Sequence, residues 1–166
     1  PAQFHPEGDV YNHVSIMLSL LKAPAPGLAL MVLLHDVGKP QTQTFAEDRI
    51  RFHNHDVVGV QMAGKILERL HYSNEVTQQV LEGIEKHMNF ANAKKMRVNK
   101  LKRFIRRENF LRELEMHRLD CLASHGDLSL YEFVREKLAA TPPEAIRPTP
   151  LVTGDDLIAA GYAPGA

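Results

Sequence analysis

The 166-residue sequence predicts an all-α fold: a helical bundle carrying one small β-hairpin. Three observations predict it. Apolar residues recur at helical spacing through most of the chain. Capping and breaking residues punctuate those stretches. Only one short segment alternates in the manner of strands.

Taken in order, residues 9–22 carry Val10, Val14, Met17, Leu18 and Leu21 on one helical face, and the APAPG of residues 23–27 ends that helix. Leu28 to His35 is apolar on nearly all sides and reads as a buried central helix. Gly38 and Pro40 follow as stop signals. Gln43–Phe45 and Arg49–Phe52 bracket AED, the expected hairpin. Residues 56–70 are again periodic, and Ser73 caps a helix running to about His87. MNFANAKKM, residues 88–96, reads as a loop. Residues 99–107 and 109–124 form two consecutive helices or one kinked helix, and 128–140 a further one. TPPEAIRPTP then breaks the pattern, and Thr153 with Asp156 three residues on caps a last short helix over 155–160. The expected organisation is a helical metal-binding domain over 1–140, then a Pro-rich linker and the start of a C-terminal helical segment over 141–166.

Composition bounds the function. Hydrophobic residues at 44% and charged ones at 24% suffice for an ordinary core and exclude a disordered chain. Twenty Lys+Arg balance 20 Asp+Glu, so net charge alone points to no partner. The single Cys121 excludes an intrachain disulfide and a Cys-based zinc site, which suits a reducing cytoplasm. No apolar run approaches the roughly 18 residues that cross a membrane, and no signal peptide is expected. A start at Pro1 and an end in mid-pattern lead us to expect a piece of a longer protein.

The chemistry concentrates at His35–Asp36, an imidazole and a carboxylate at the end of LALMVLLHDVGK. Divalent metal sites that activate water use this mixed ligand set. Nine histidines are many for this length. His13 lies in the first helix, His55 opens the third, His87 ends the fourth, and Asp120 is mid-helix in HRLDCLASHGD. Packed helices can aim such residues at one point. The bland alternatives are a helix-capping His35, a core His13, and an Asp120 paired with Arg118 or Arg103. His5, His53, His71, His117 and His125 read as surface or capping groups.

This order of residues resembles the HD-domain metal-dependent phosphohydrolases. FHPEGDVYNH, LLHDVGKP, FHNHDVVGV, RLHYSNE, LKRFIRRENF, HRLDCLASHGDL and PLVTGDDLIAAGYAPG resemble, more closely, the HD region of bacterial tRNA nucleotidyltransferases and poly(A) polymerase-like proteins. The resemblance implies a metal on His13, His35, Asp36 and Asp120, and a second metal on His55 and His87 bridged by Asp36. It implies one or two divalent ions: Ni, Mn, Co, Fe or Zn, with Mg also admitted. Such an ion would lower the pKa of bound water and polarise a phosphoryl oxygen. Asp36 and Lys39 are then the catalytic candidates, Lys39 offsetting phosphate charge. The implied substrates are 2′,3′-cyclic nucleotides, 2′-nucleotides or RNA-end phosphates. The family's nucleotidyltransferase head, with its Gly–Ser loop and paired Asp, is not among these residues. No nucleotide addition is therefore expected of this chain alone, and the head is expected as a partner domain in the parent protein.

AKKMRVNKLKRFIRR is a second feature. Lys102, Arg103, Arg106 and Arg107 share one helical face, with Leu101, Phe104 and Ile105 on the other, and could neutralise RNA phosphates. The alternative is a solvated helix balanced by Glu108, Glu113 and Glu115. Two rivals to hydrolysis follow: a non-catalytic module that positions tRNA, and a regulatory domain that binds a nucleotide without turnover.

Overall fold

The computed structural model describes residues 9–47, 50–142 and 152–163. His5, Arg49 and all of the proline-rich run after Pro142 lie outside them. The described chain is a helical bundle with one antiparallel hairpin, as its periodicity predicts. The helices are α1 (Val10–Ser19), α2 (Pro26–Leu34), α3 (Lys39–Thr42), α4 (His55–Arg69), α5 (Asn74–Lys86), the 3₁₀ segment η1 (His87–Lys95), α6 (Val98–Ile105), α7 (Phe110–Ala123), α8 (Ser129–Ala139) and α9 (Gly154–Ala159).

Local chemistry sets the helix starts. Asp9 accepts from the Asn12 amide at 2.8 Å and opens α1. Ser73 accepts from the Val76 amide and opens α5. Thr153 and Asp156 close a capping box on α9, although every described residue from 152 to 163 is exposed. The hairpin pairs β1 (Gln43–Phe45) with β2 (Ile50–Phe52) in the register Gln43↔Phe52, Thr44↔Arg51, Phe45↔Ile50.

Helix α2 packs against α1, α5 and α7, which makes it the bundle's centre. Met31, Val32 and Leu34 are buried on different faces, whereas Leu33 keeps 48% of its surface exposed. One core joins α1, α2 and α7 through Met17, Met31, Val32, Met116 and Leu119. A second joins α2, α4 and α5 through Leu34, Ala63, Leu67, Val80 and Ile84. A third gathers η1, α6, α7 and α8 around Phe90, Phe104, Phe110 and Val134.

Two expectations need correction. The 88–96 stretch is not a loop: η1 buries Phe90 and Ala93 completely, so a polar-looking sequence is held by two apolar anchors three residues apart. Pro40 does not simply stop a helix. The chain turns at residues 35–38, and Pro40 then sits in the first turn of α3, where a missing N–H costs nothing. Gly38 has a separate task. A Cβ there would lie 2.2 Å from the His55 carbonyl oxygen, so only glycine lets this turn meet the start of α4.

Candidate metal centre

Each side chain of the centre is delivered by a helix end or a helix face. His35 is the C-cap of α2, its amide bonded to the Met31 carbonyl at 2.9 Å. Asp36 is the next residue in the turn. His55 is the first residue of α4, entered through Asn54 in the left-handed conformation (φ 60°), which asparagine tolerates better than most residues. His87 caps α5 where η1 begins. His13 comes from α1 and Asp120 from α7.

These six residues form two triads whose ligand atoms lie within 4.8 Å of one another: His13, His35 and Asp120, and Asp36, His55 and His87. His13 Nε2 is 3.1 Å from Asp120 Oδ1. His35 Nε2 is 3.2 Å from Asp36 Oδ2, and His55 Nε2 is 3.6 Å from Asp36 Oδ1. Asp36 thus stands between the triads, one oxygen toward each. Successive residues of a helical turn project about 100° apart, which is how an adjacent His and Asp serve opposite sides.

Whether the residues fit a metal follows from their hydrogen bonds. His35 Nδ1 lies 2.9 Å from the Val32 carbonyl, His55 Nδ1 2.8 Å from that of Phe52, and His87 Nδ1 2.6 Å from that of Ile84. A carbonyl only accepts, so each Nδ1 carries the hydrogen and donates it. In the neutral rings each Nε2 is then a lone pair aimed inward. The His55 and His87 Nε2 atoms lie 3.0 Å apart. Two lone pairs that close need a shared proton or cation, and tetrahedral zinc bonds of about 2.0–2.1 Å to nitrogen would span a similar gap. Nitrogen with carboxylate suits Zn, Mn, Fe, Co or Ni, whereas Ca prefers oxygen alone. The donor set fits a divalent transition ion.

The electrostatics agree. Burial penalises the charge on Asp36, but the His35 imidazole and Lys39 outweigh it and hold the carboxyl well below its usual range. Burial likewise opposes the charge on Asp120, yet His13 and His35 keep it low. The His35 imidazole is raised despite complete burial, because Asp36 and Asp120 attract its proton. His87, buried and facing His35, is pushed down to about 4. Lys39 Nζ sits 2.6 Å from Asp36 Oδ2 and 5.7 Å from the Phe52 ring centroid. It is therefore part of the centre and not a solvated side chain.

The structure brings His13, His35, Asp36, Lys39, His55, His87 and Asp120 together. Asp120 does not pair with Arg118, whose guanidinium is held by Glu115 at 2.6 and 2.8 Å. The basic face divides. Lys102, Arg103 and Arg106 are exposed, but Arg107 pairs with the buried Glu113 and lies over the Phe104 ring. Glu113 does balance a charge of the basic helix, but from the core and not from solvent. His117 also departs from the surface role expected of it: it is buried and stacked on Phe90 at 4.5 Å. Helical spacing offered the one available signal, since Glu113, His117 and Asp120 fall on a single stripe of α7. His53, His71 and His125 are exposed, and His125 Nδ1 accepts from the Asp127 amide.

Comparison with known proteins decides the family. The model of the HD domain matches residues 10–131. The chain belongs to the HD-domain family. It is 32% identical to an A-adding tRNA nucleotidyltransferase of Deinococcus radiodurans over 95% of its own length and 39% of that protein. A CC-adding tRNA nucleotidyltransferase of Thermus thermophilus is 29% identical over 78% of the chain and 30% of that protein. A multifunctional CCA protein of a Janthinobacterium species is 29% identical over 64% and 26%. The chain is thus an HD region like those of tRNA nucleotidyltransferases, and it spans well under half the length of these relatives. No solved structure gives a significant match. No helix among the described residues is long and apolar enough to cross a membrane.

Proposed function

We propose that this HD domain is a divalent-metal phosphohydrolase acting on 2′,3′-cyclic nucleotides, 2′-nucleotides or RNA-end phosphates. The observation that carries the reading is the pair of neighbouring triads with Asp36 standing between them, and three imidazoles locked by backbone carbonyls so that Nε2 faces inward. His13, His35 and Asp120 would hold one ion and His55 and His87 a second, with Asp36 reaching both. A divalent ion supplies Lewis acidity toward a phosphoryl oxygen and activates water. The chain's own residues do the rest. The carbonyls of Val32, Phe52 and Ile84 fix ring orientation, the outer-shell role that tunes such sites. Lys39 is held beside the centre by Asp36, where its ammonium would pair with phosphate oxygen. Asp120, whose side chain is 38% exposed, marks the side open to solvent.

Release of product from 2′,3′-cyclic AMP by metal-stripped protein reloaded with Ni, Mn, Co, Zn or Mg tests the reading. Turnover should require an ion and vanish in Asp36→Ala. No turnover with any ion, from protein shown to be folded, would overturn the substrate assignment.

A second reading is favoured by one observation, the exposed cations Lys102, Arg103 and Arg106 on a chain whose named relatives act in tRNA nucleotide addition. In this reading the domain positions tRNA, in the cytoplasm, for a nucleotidyltransferase head elsewhere in the parent protein. Nucleotide addition is assigned to that head and not to this chain. Asp36→Ala would then leave RNA affinity unchanged.

A further inference from the structure

Charge in this chain is neutral in sum but not in place. Residues 86–107 hold nine of the 20 Lys+Arg and none of the 20 Asp+Glu, so the remainder carries eleven cations against all 20 acids. The fold concentrates the excess further. Where η1 ends and α6 begins, a cleft of about 720 Å³ is lined by Asn92, Lys95, Met96, Arg97, Lys100 and Arg103, with Val98 and Asn99 completing its wall. All four cations are exposed, and none is in an ion pair with a described carboxylate. The neighbouring Arg107 shows the contrast, being consumed by Glu113.

We infer that this cleft binds the phosphodiester backbone of single-stranded RNA. Two guanidinium forks suit paired phosphate oxygens, and two ammonium groups add point charge. The asparagine amides can reach ribose or phosphate oxygens, and Met96 and the 69%-exposed Val98 offer apolar surface. A single strand can lie along an open cleft of this size with successive phosphates on the four cations. No aromatic ring lines it, so the stacking platforms of sequence-tolerant binders are missing and the phosphate contacts dominate. The acidic remainder of the chain repels a polyanion and orients it toward this one face.

The cleft is tied to the metal centre by backbone. Segment η1 starts at His87 of one triad and ends at Lys95 of the cleft. At about 2.0 Å per residue the two lie within about 16 Å along that segment, within the reach of a few nucleotides. The inference rests on the reading of the chain as an RNA-associated domain, and it does not require hydrolysis.

The test is fluorescence anisotropy of a short labelled single-stranded RNA against the full chain across a salt series. Four phosphate contacts predict a slope of log affinity against log salt of about −3. Affinity should therefore fall about 50-fold between about 50 and 200 mM salt. Combining Lys95→Gln, Arg97→Gln, Lys100→Gln and Arg103→Gln should bring the slope near zero. If that variant does not fold, Arg97→Gln and Lys100→Gln singly should each reduce the slope by about 1. A slope of about −3 from a chain that shows no turnover of 2′,3′-cyclic AMP with any ion would keep the cleft and overturn the hydrolase reading, so the two failures are distinguishable. A slope untouched by the four substitutions, or an oligoglutamate of equal charge competing as well as RNA, would overturn the inference.

Discussion

The two triads of the metal centre share one turn of chain, yet their surroundings differ. Asp36, His55 and His87 are all buried, and both imidazoles donate Nδ1–H to the carbonyl three residues earlier. The His13, His35 and Asp120 triad opens at Asp120, whose side chain is 38% exposed. Asp120 comes from the middle of α7 and not from a helix end. His35 is locked in the same way, to the Val32 carbonyl, so local backbone geometry orients three of the four imidazoles, and the packing of α1, α2 and α7 brings His13 and Asp120 to His35. Both triads are oriented by local backbone, and solvent access belongs to the open one.

The sharpest way to break this contrast is to remove one triad at a time. His55→Ala should abolish the ion of the closed triad and spare that of the open one. Elemental analysis after dialysis should then find one ion fewer than in the parent, whereas Asp36→Ala should lose both. Equal loss from both variants would show that the triads hold a single shared ion.

Burial of the closed triad also has a signature in the metal-free protein. His87 titrates near 4 because burial, then the charge on His35, disfavour its protonated form. The unfolded chain takes that proton below about 6.5 and the folded one does not, so stability falls as pH drops from 6.5 toward 4. The span is about 3 kcal/mol. Glu113, outside the centre, runs the other way. Burial pushes its carboxyl up to about 7, against the pull of Arg107 and Lys86 and with help from Glu82. The folded state keeps a proton that the unfolded chain releases above 4.5, so stability falls as pH rises from 4.5 to 7, again by about 3 kcal/mol. Urea melts at pH 5 and pH 8 should show His87→Gln gaining stability at pH 5 relative to pH 8, and Glu113→Gln gaining it at pH 8 relative to pH 5. The same slope change in both variants would refute the assignment.

A smaller effect is expected at Gly38. Alanine there must displace the His55 carbonyl, which its Cβ would approach to 2.2 Å. Thermal melting should show a loss of about 2 kcal/mol, and zinc affinity should fall because His55 moves away from Asp36. Unchanged melting and affinity would mean the turn relaxes freely.

Much of this was readable in the residues. The helix bounds, the caps at Ser73 and Thr153 and the hairpin between Gln43 and Phe52 all follow from local rules, since caps, breakers and alternation act within a few residues. Segment η1 escaped because its two buried apolar residues, Phe90 and Ala93, are too few to show a period. Glu113 and His117 escaped because a charged or polar residue in a helix is ordinarily solvated, and only the stacking of Phe90 and the arrival of Arg107 make their burial tolerable.

The sequence by itself determined the helical class and the acid-free basic run, because composition and spacing are properties of the chain, and its resemblance to the HD family implied the candidate ligands. Tertiary structure alone decided the partition. Helix packing brought His13 and Asp120 to His35, and His55 and His87 to Asp36, and drew Asp120 to His13 in preference to an arginine. The same packing sent Arg107 to the buried Glu113 and left Lys95, Arg97, Lys100 and Arg103 around a cleft. The reason is physical: a ligand set and an ion pair depend on distances between residues far apart in sequence, and those distances exist only once the helices have packed.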